Sequence, residues 1–126
     1  VKKLSTGLRV TFVDMTDLEA VKAALTPETK MLWCETPTNP MMKIFDLEKI
    51  AGLCKKMCVV SVCDNTFASP YIQRPIEHGF DVVMHSATKY LNGHSDVING
   101  VLIVKDNYEL SDRLRFLQNA MGAVPG

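Results

Sequence analysis

The sequence predicts an α/β fold, a mostly parallel sheet with helices packed on it and one antiparallel strand. Three observations predict it. Apolar, β-branched runs alternate along the chain with segments whose apolar residues recur at helical spacing. The runs Cys58–Asp64 ("CVVSVCD") and Asp81–Thr88 ("DVVMHSAT") are apolar on both faces, as central parallel strands are. Only eight residues separate Thr88 from Val97, too few for a helical crossover, so the strand ending at Lys105 must run antiparallel to its predecessor.

The elements follow in order. Arg9–Asp14 ("RVTFVD") has the β-branched and aromatic content of a short strand. Thr16 and Glu19 stand at capping-box spacing and open a helix over "DLEAVKAAL", which Thr26-Pro27 closes. Lys30–Glu35 ("KMLWCE") is an apolar run stopped by the proline-rich "TPTNP". Asp46 caps a helix whose Leu47, Ile50, Ala51, Cys54 and Met57 share one face. Val97–Lys105 supplies the last strand, and Leu110, Leu114, Leu117 and Met121 form the stripe of the last helix. Trp33 is expected to fill core volume and His85 to be a hydrogen-bonded core histidine.

Composition narrows the function. The 126 residues suffice for one core, not two, and contain no internal repeat or low-complexity linker. Hydrophobic residues make up 47%, and 14 basic residues balance 14 acidic ones. That balance argues against partners held by bulk charge, so neither a nucleic acid nor an anionic membrane is expected. No apolar run reaches the roughly 18 residues of a membrane span. Cys34, Cys54, Cys58 and Cys63 form no CxxC pair, and with three scattered histidines they suggest no metal site. Reduced thiols packed as small hydrophobes fit a cytoplasmic protein.

In open α/β sheets the ligand lies beyond the carboxyl ends of the strands. Three polar clusters fall at such ends: "ETPTNP" (35–40), "DNTFASP" (64–70) and "SATKY" (86–90). No GxGxxG or GxxxxGK follows a strand, which weakens the alternative of a non-covalent nucleotide-binding module. Lys89 stands out, because lysines rarely follow a buried strand into a cluster of small hydroxyls.

Together, "ETPTNP", "DNTFASPYIQRP" and "SATKYLNGHSDV" resemble, in order and spacing, the pyridoxal-phosphate (PLP) enzymes of cysteine and methionine metabolism. These enzymes have the aspartate-aminotransferase-like fold. The resemblance covers nearly the whole chain, and the final "DRLRFLQNAMGAVPG" looks most like the cystathionine γ-lyase branch. It implies that Lys89 holds PLP covalently and later moves protons, which requires a neutral amine in a partly desolvated site. It implies that Asp64 lies beneath the pyridine nitrogen and keeps it protonated, the condition for PLP to accept electrons. It further implies that Ser86 and Thr88 bind the cofactor phosphate, that Thr66 packs beside the ring, and that Asn39 lies near the phenolic oxygen and the substrate carboxylate. The expected activity is cleavage of the γ carbon–sulfur bond of cystathionine, an amino-acid substrate, to cysteine, 2-oxobutanoate and ammonia. A cystathionine γ-synthase or methionine γ-lyase would share every motif. Family chains are much longer, so residues 1–126 are expected to be the central part of the large PLP-binding domain, without its N-terminal segment and small C-terminal domain. An inactive fragment is the remaining alternative. The resemblance also implies a homo-oligomer, a tetramer.

Overall fold

The computed structural model describes residues 7–125. Among these residues four helices and four strands follow in the order α1 (Leu18–Ala24), β1 (Met31–Glu35), α2 (Leu47–Lys56), β2 (Val60–Asp64), α3 (Ser69–Ile72), β3 (Val82–Ser86), β4 (Gly100–Val104) and α4 (Tyr108–Met121). The strands form one sheet in the order β1-β2-β3-β4. β1 and β2 are parallel in the register Cys34↔Cys63 and Glu35↔Asp64, and β2 and β3 are parallel with Asp64 opposite Met84. β4 returns antiparallel to β3, with Ser86 opposite Gly100, as the short connection requires. No helix among the described residues is long and apolar enough to cross a membrane.

The helices start where acceptor side chains meet free amides. Asp46 accepts from the Lys49 N–H at 3.0 Å and opens α2, as expected. Asp17, not Thr16, opens α1, accepting from the Glu19 and Ala20 N–H groups at 3.0 Å each. Thr16 is instead occupied one turn earlier, giving both its N–H and its hydroxyl to Asp14. A carboxylate can take two amides at once, and here it displaces the expected capping box. Asn107 caps α4, and Gly122, at φ 64°, ends it in the left-handed conformation that glycine adopts without penalty.

The core lies between α2 and one sheet face. Leu47, Ile50, Ala51 and Cys54 of α2 meet Leu32, Cys34 and Cys63, with Val21, Val59 and Phe80 closing the rim. Met57 terminates α2 outside this stripe and is 42% exposed. All four cysteines are free thiols. Hydrogen bonding with Cys63, followed by burial, pushes the Cys34 thiol up, so it packs as an uncharged hydrophobe.

Further differences from expectation have physical reasons. Residues 9–14 form no strand: none of the four strands pairs with them, and β-branched content specifies a strand only where a ladder exists. α3 was invisible, because a four-residue turn carries no helical period. Trp33 is 49% exposed, because strand alternation turns it with Met31 away from α2. His85 is a buried core histidine bonded to the Asn65 backbone, as expected, but its Nδ1 has no hydrogen-bond partner among the described residues.

Candidate active site

The carboxyl ends of β1, β2 and β3 lie side by side, and each opens into a polar turn. β2 ends at Asp64, whose Oδ1 accepts from the Thr66 N–H at 3.0 Å in a tight Asx turn. The Thr66 hydroxyl then accepts from the Ser86 N–H at 2.7 Å, bonding the turn after β2 to the last residue of β3. Asp64 and Ser86 share a sheet face, since Asp64 stands opposite Met84 and Ser86 is two residues further on.

Beyond Ser86 the chain turns. The Lys89 N–H bonds the Ser86 carbonyl at 3.1 Å, and the Gly93 N–H bonds the Lys89 carbonyl at 2.8 Å. Gly93 has φ 76°, a value glycine tolerates and other residues rarely do. The strand period therefore does not reach Thr88. Its hydroxyl donates to the Asn99 carbonyl at 3.3 Å and accepts from the Asn99 N–H at 2.9 Å. Lys89 is exposed, and its amine has no hydrogen bond or ion pair among the described residues. The desolvation expected around it is not supplied by these residues.

Asn39 stands apart from the other five. It is exposed on the turn after β1, where Lys43 donates its N–H to the Thr38 hydroxyl at 2.9 Å. Glu35 links this turn to Asp64, its register partner. Burial, then the charge of Asp64, raises the Glu35 pKa, while the Asn39 N–H pulls it down. A proton therefore binds Glu35 more readily than an ordinary glutamate.

Sequence reasoning missed the layer beneath. Thr36, Asn65 and His85 are each 1% exposed at this end of the sheet. The Gln73 side chain donates to the Thr36 carbonyl and to Asn65 Oδ1, both at 2.9 Å, and Asn65 Nδ2 donates to the Gln73 carbonyl at 2.7 Å. Asn65 and Gln73 both lie within "DNTFASPYIQRP", and two amides eight residues apart in one motif were the available signal. Burial lowers the His85 pKa, opposed by the charge of Asp64 and a bond to the Asn65 backbone, so the ring is neutral near pH 7.

The donor set suits PLP. A free amine can take the aldehyde, a half-buried carboxylate with one oxygen uncommitted can face a protonated ring nitrogen, and the free Ser86 hydroxyl can donate to a phosphate. A concavity of about 350 Å³ lies at the opposite end of the sheet, near Lys55, Asp81 and Leu110, and holds none of these groups.

The cystathionine β-lyase of Coxiella burnetii (strain RSA 493 / Nine Mile phase I) is 58% identical over 124 residues, which are 98% of this chain and 32% of that protein. Human cystathionine γ-lyase is 52% identical over 120 residues, 94% of this chain and 29% of its own. A probable cystathionine γ-synthase of Herpetosiphon aurantiacus is also 52% identical over 120 residues, 95% of this chain and 37% of its own. The chain thus spans about a third of the length of these curated relatives. The crystal structure of cystathionine γ-lyase from Lactobacillus plantarum, complexed with L-serine, superposes with a TM-score of 0.88 at 50% identity, over 90% of this chain and 30% of that one. With the match to the family description covering residues 1–126, the chain belongs to the Cys/Met metabolism PLP-dependent enzymes.

Proposed function

We propose that the protein containing this chain is a PLP-dependent carbon–sulfur lyase that cleaves L-cystathionine on the γ side of sulfur. The products are L-cysteine, 2-oxobutanoate and ammonia. The observation that carries the reading is the uncommitted Lys89 amine, set one turn beyond Ser86, which shares a sheet face with Asp64. PLP, when bound, supplies a sink for the electrons released at the substrate α carbon.

The chain's own residues do the rest. Lys89 holds the cofactor and, once released, carries the α proton towards the next carbon. Asp64 keeps a proton on the ring nitrogen, with its position fixed by the Thr66 N–H. Ser86 donates to the phosphate, and Thr88 joins it by exchanging its bond to the Asn99 carbonyl. Thr66, already bound to the Ser86 N–H, supports the ring from the side. Asn39 receives the substrate carboxylate from the turn after β1. The residues form the central part of a large PLP-binding domain in a cytoplasmic homo-oligomer, a tetramer.

Cleavage on the other side of sulfur is a second reading, favoured by the 58% identity with a cystathionine β-lyase. The experiment uses the complete chain. Borohydride reduction and peptide mapping should place the cofactor on Lys89, and incubation with cystathionine should release 2-oxobutanoate. Label on Lys55 or Lys56 would overturn the site, and pyruvate as the sole keto acid would overturn γ cleavage.

A further inference from the structure

Among the described residues four polar side chains are buried: Thr36, Ser61, Asn65 and His85. Three of them lie at the carboxyl ends of the strands, directly under the candidate site. Buried polar groups are costly unless bonded, so their concentration at one end calls for a cause.

The centre of this layer is Gln73. It follows α3 in an extended conformation, with its N–H on the Ser69 carbonyl at 3.1 Å. Its side-chain nitrogen spans the Thr36 carbonyl and Asn65 Oδ1, and its own carbonyl takes the Asn65 Nδ2 hydrogen. Asn65 in turn gives its N–H to the Met84 carbonyl at 2.9 Å. One residue therefore binds the exits of β1 and β2 directly and reaches the middle of β3, at Met84, through Asn65. The three strands lead on to Asn39, to Thr66 and to Lys89. Asn65 is also the immediate neighbour of Asp64, so fixing its backbone and side chain fixes the root of the carboxylate.

We propose that Gln73 is a positioning residue for cofactor binding, holding the Asp64 turn in register with the turns of Asn39 and Lys89. The proposal rests on the PLP reading above. The amide is specifically required. A carboxylate at position 73 would face two oxygens, and rotating the Asn65 amide gives no relief, because it would set Asn65 Oδ1 against the carbonyl of residue 73.

The test uses the complete chain with Gln73→Glu and Gln73→Met, the second keeping the shape without charge or hydrogen bonds. Ser61→Ala is the control. Ser61 is equally buried and hydrogen-bonded at the other end of β2, where its hydroxyl donates to Asp81 at 2.8 Å. Three readouts are taken: melting temperature of the apo protein, PLP dissociation constant, and the pH midpoint of the bound cofactor's absorbance change. We expect all three variants to melt lower. The two Gln73 variants should bind PLP at least tenfold more weakly and shift the absorbance midpoint, while Ser61→Ala leaves both unchanged. Unchanged affinity and midpoint in the Gln73 variants would overturn the proposal. So would equal changes in Ser61→Ala, which would mean general loosening. Failure of both Gln73 variants to fold beside a folded Ser61→Ala would also overturn it, making Gln73 a folding residue. If the unsubstituted protein carries no PLP on Lys89, the functional reading fails and this inference with it. If it does and the Gln73 variants are normal, the inference fails alone.

Discussion

Asp81→Ala should destabilise the protein through two hydrogen bonds at the start of β3. Asp81 Oδ2 accepts from both the Ser61 N–H and the Ser61 hydroxyl at 2.8 Å, and the Asp81 N–H returns to the same hydroxyl at 3.1 Å. Ser61 is 1% exposed, so removing the carboxylate strands a backbone amide and weakens a hydroxyl where water has poor access. A stranded buried donor costs about 1–3 kcal/mol, and a bond to a charged acceptor is worth about 1.5–3 kcal/mol. Asp81 itself is exposed, and water competes for its oxygens, which keeps the sum near 3 kcal/mol. Ser61→Ala loses two bonds but strands only the Asp81 N–H at a wet position, so about 1–2 kcal/mol is expected. The double variant should fall short of the sum of the singles by about 1 kcal/mol, because the two share one bond. Urea titration of the complete chain, read by hydrogen exchange of β2 amides, measures these differences and reports directly on the Ser61 N–H. Asp81→Ala within about 0.5 kcal/mol of the unsubstituted protein would refute the reasoning.

The other predictions concern charge and completeness. Asp64→Asn keeps an acceptor for the Thr66 N–H but loses the charge, so turnover with PLP bound should fall about a hundredfold or more. The same change removes one cause of the raised Glu35 pKa, which should drop towards its ordinary value in an NMR titration, and near-normal turnover would contradict the role of Asp64. His85 has its pKa lowered by burial, so the unfolded chain takes up the proton first. Stability should therefore decline as pH falls below about 6.5 and towards the lower folded value, and His85→Gln should flatten that part of a melting-temperature profile. Residues 1–126 produced alone should bind PLP weakly and cleave no cystathionine, and a stoichiometric adduct with turnover in a PLP titration would show otherwise.

Much of this was legible because it depends on local chemistry. Asp46 sits before an apolar stripe of period 3.6, and its cap could be read from residue type and spacing alone. The direction of β4 followed from chain length, since eight residues cannot cross a sheet. What escaped depends on neighbours. Trp33 looks like a core residue until the pairing of β1 decides which face it occupies. Arg9–Asp14 reads as a strand until the sheet is seen to end at β1. The candidate site residues could be picked out by motif, but the hydrogen bonds of Gln73 could not, because Thr36 meets it only through long-range folding.

Asn99 closes the Lys89 turn like a clasp. Its N–H and carbonyl both bind Thr88, so the segment between them leaves and rejoins the sheet through one pair of adjacent residues. Extra length inserted among residues 94–98 has little mechanical leverage on Lys89, since the clasp absorbs it and lengthening a loop costs little entropy. A single residue inserted between Ser86 and Lys89 has full leverage, because it breaks the Ser86–Lys89 turn and shifts Lys89 relative to the end of β3. Evolution can therefore lengthen and diversify this rim on one side of the clasp while the other side stays fixed in length.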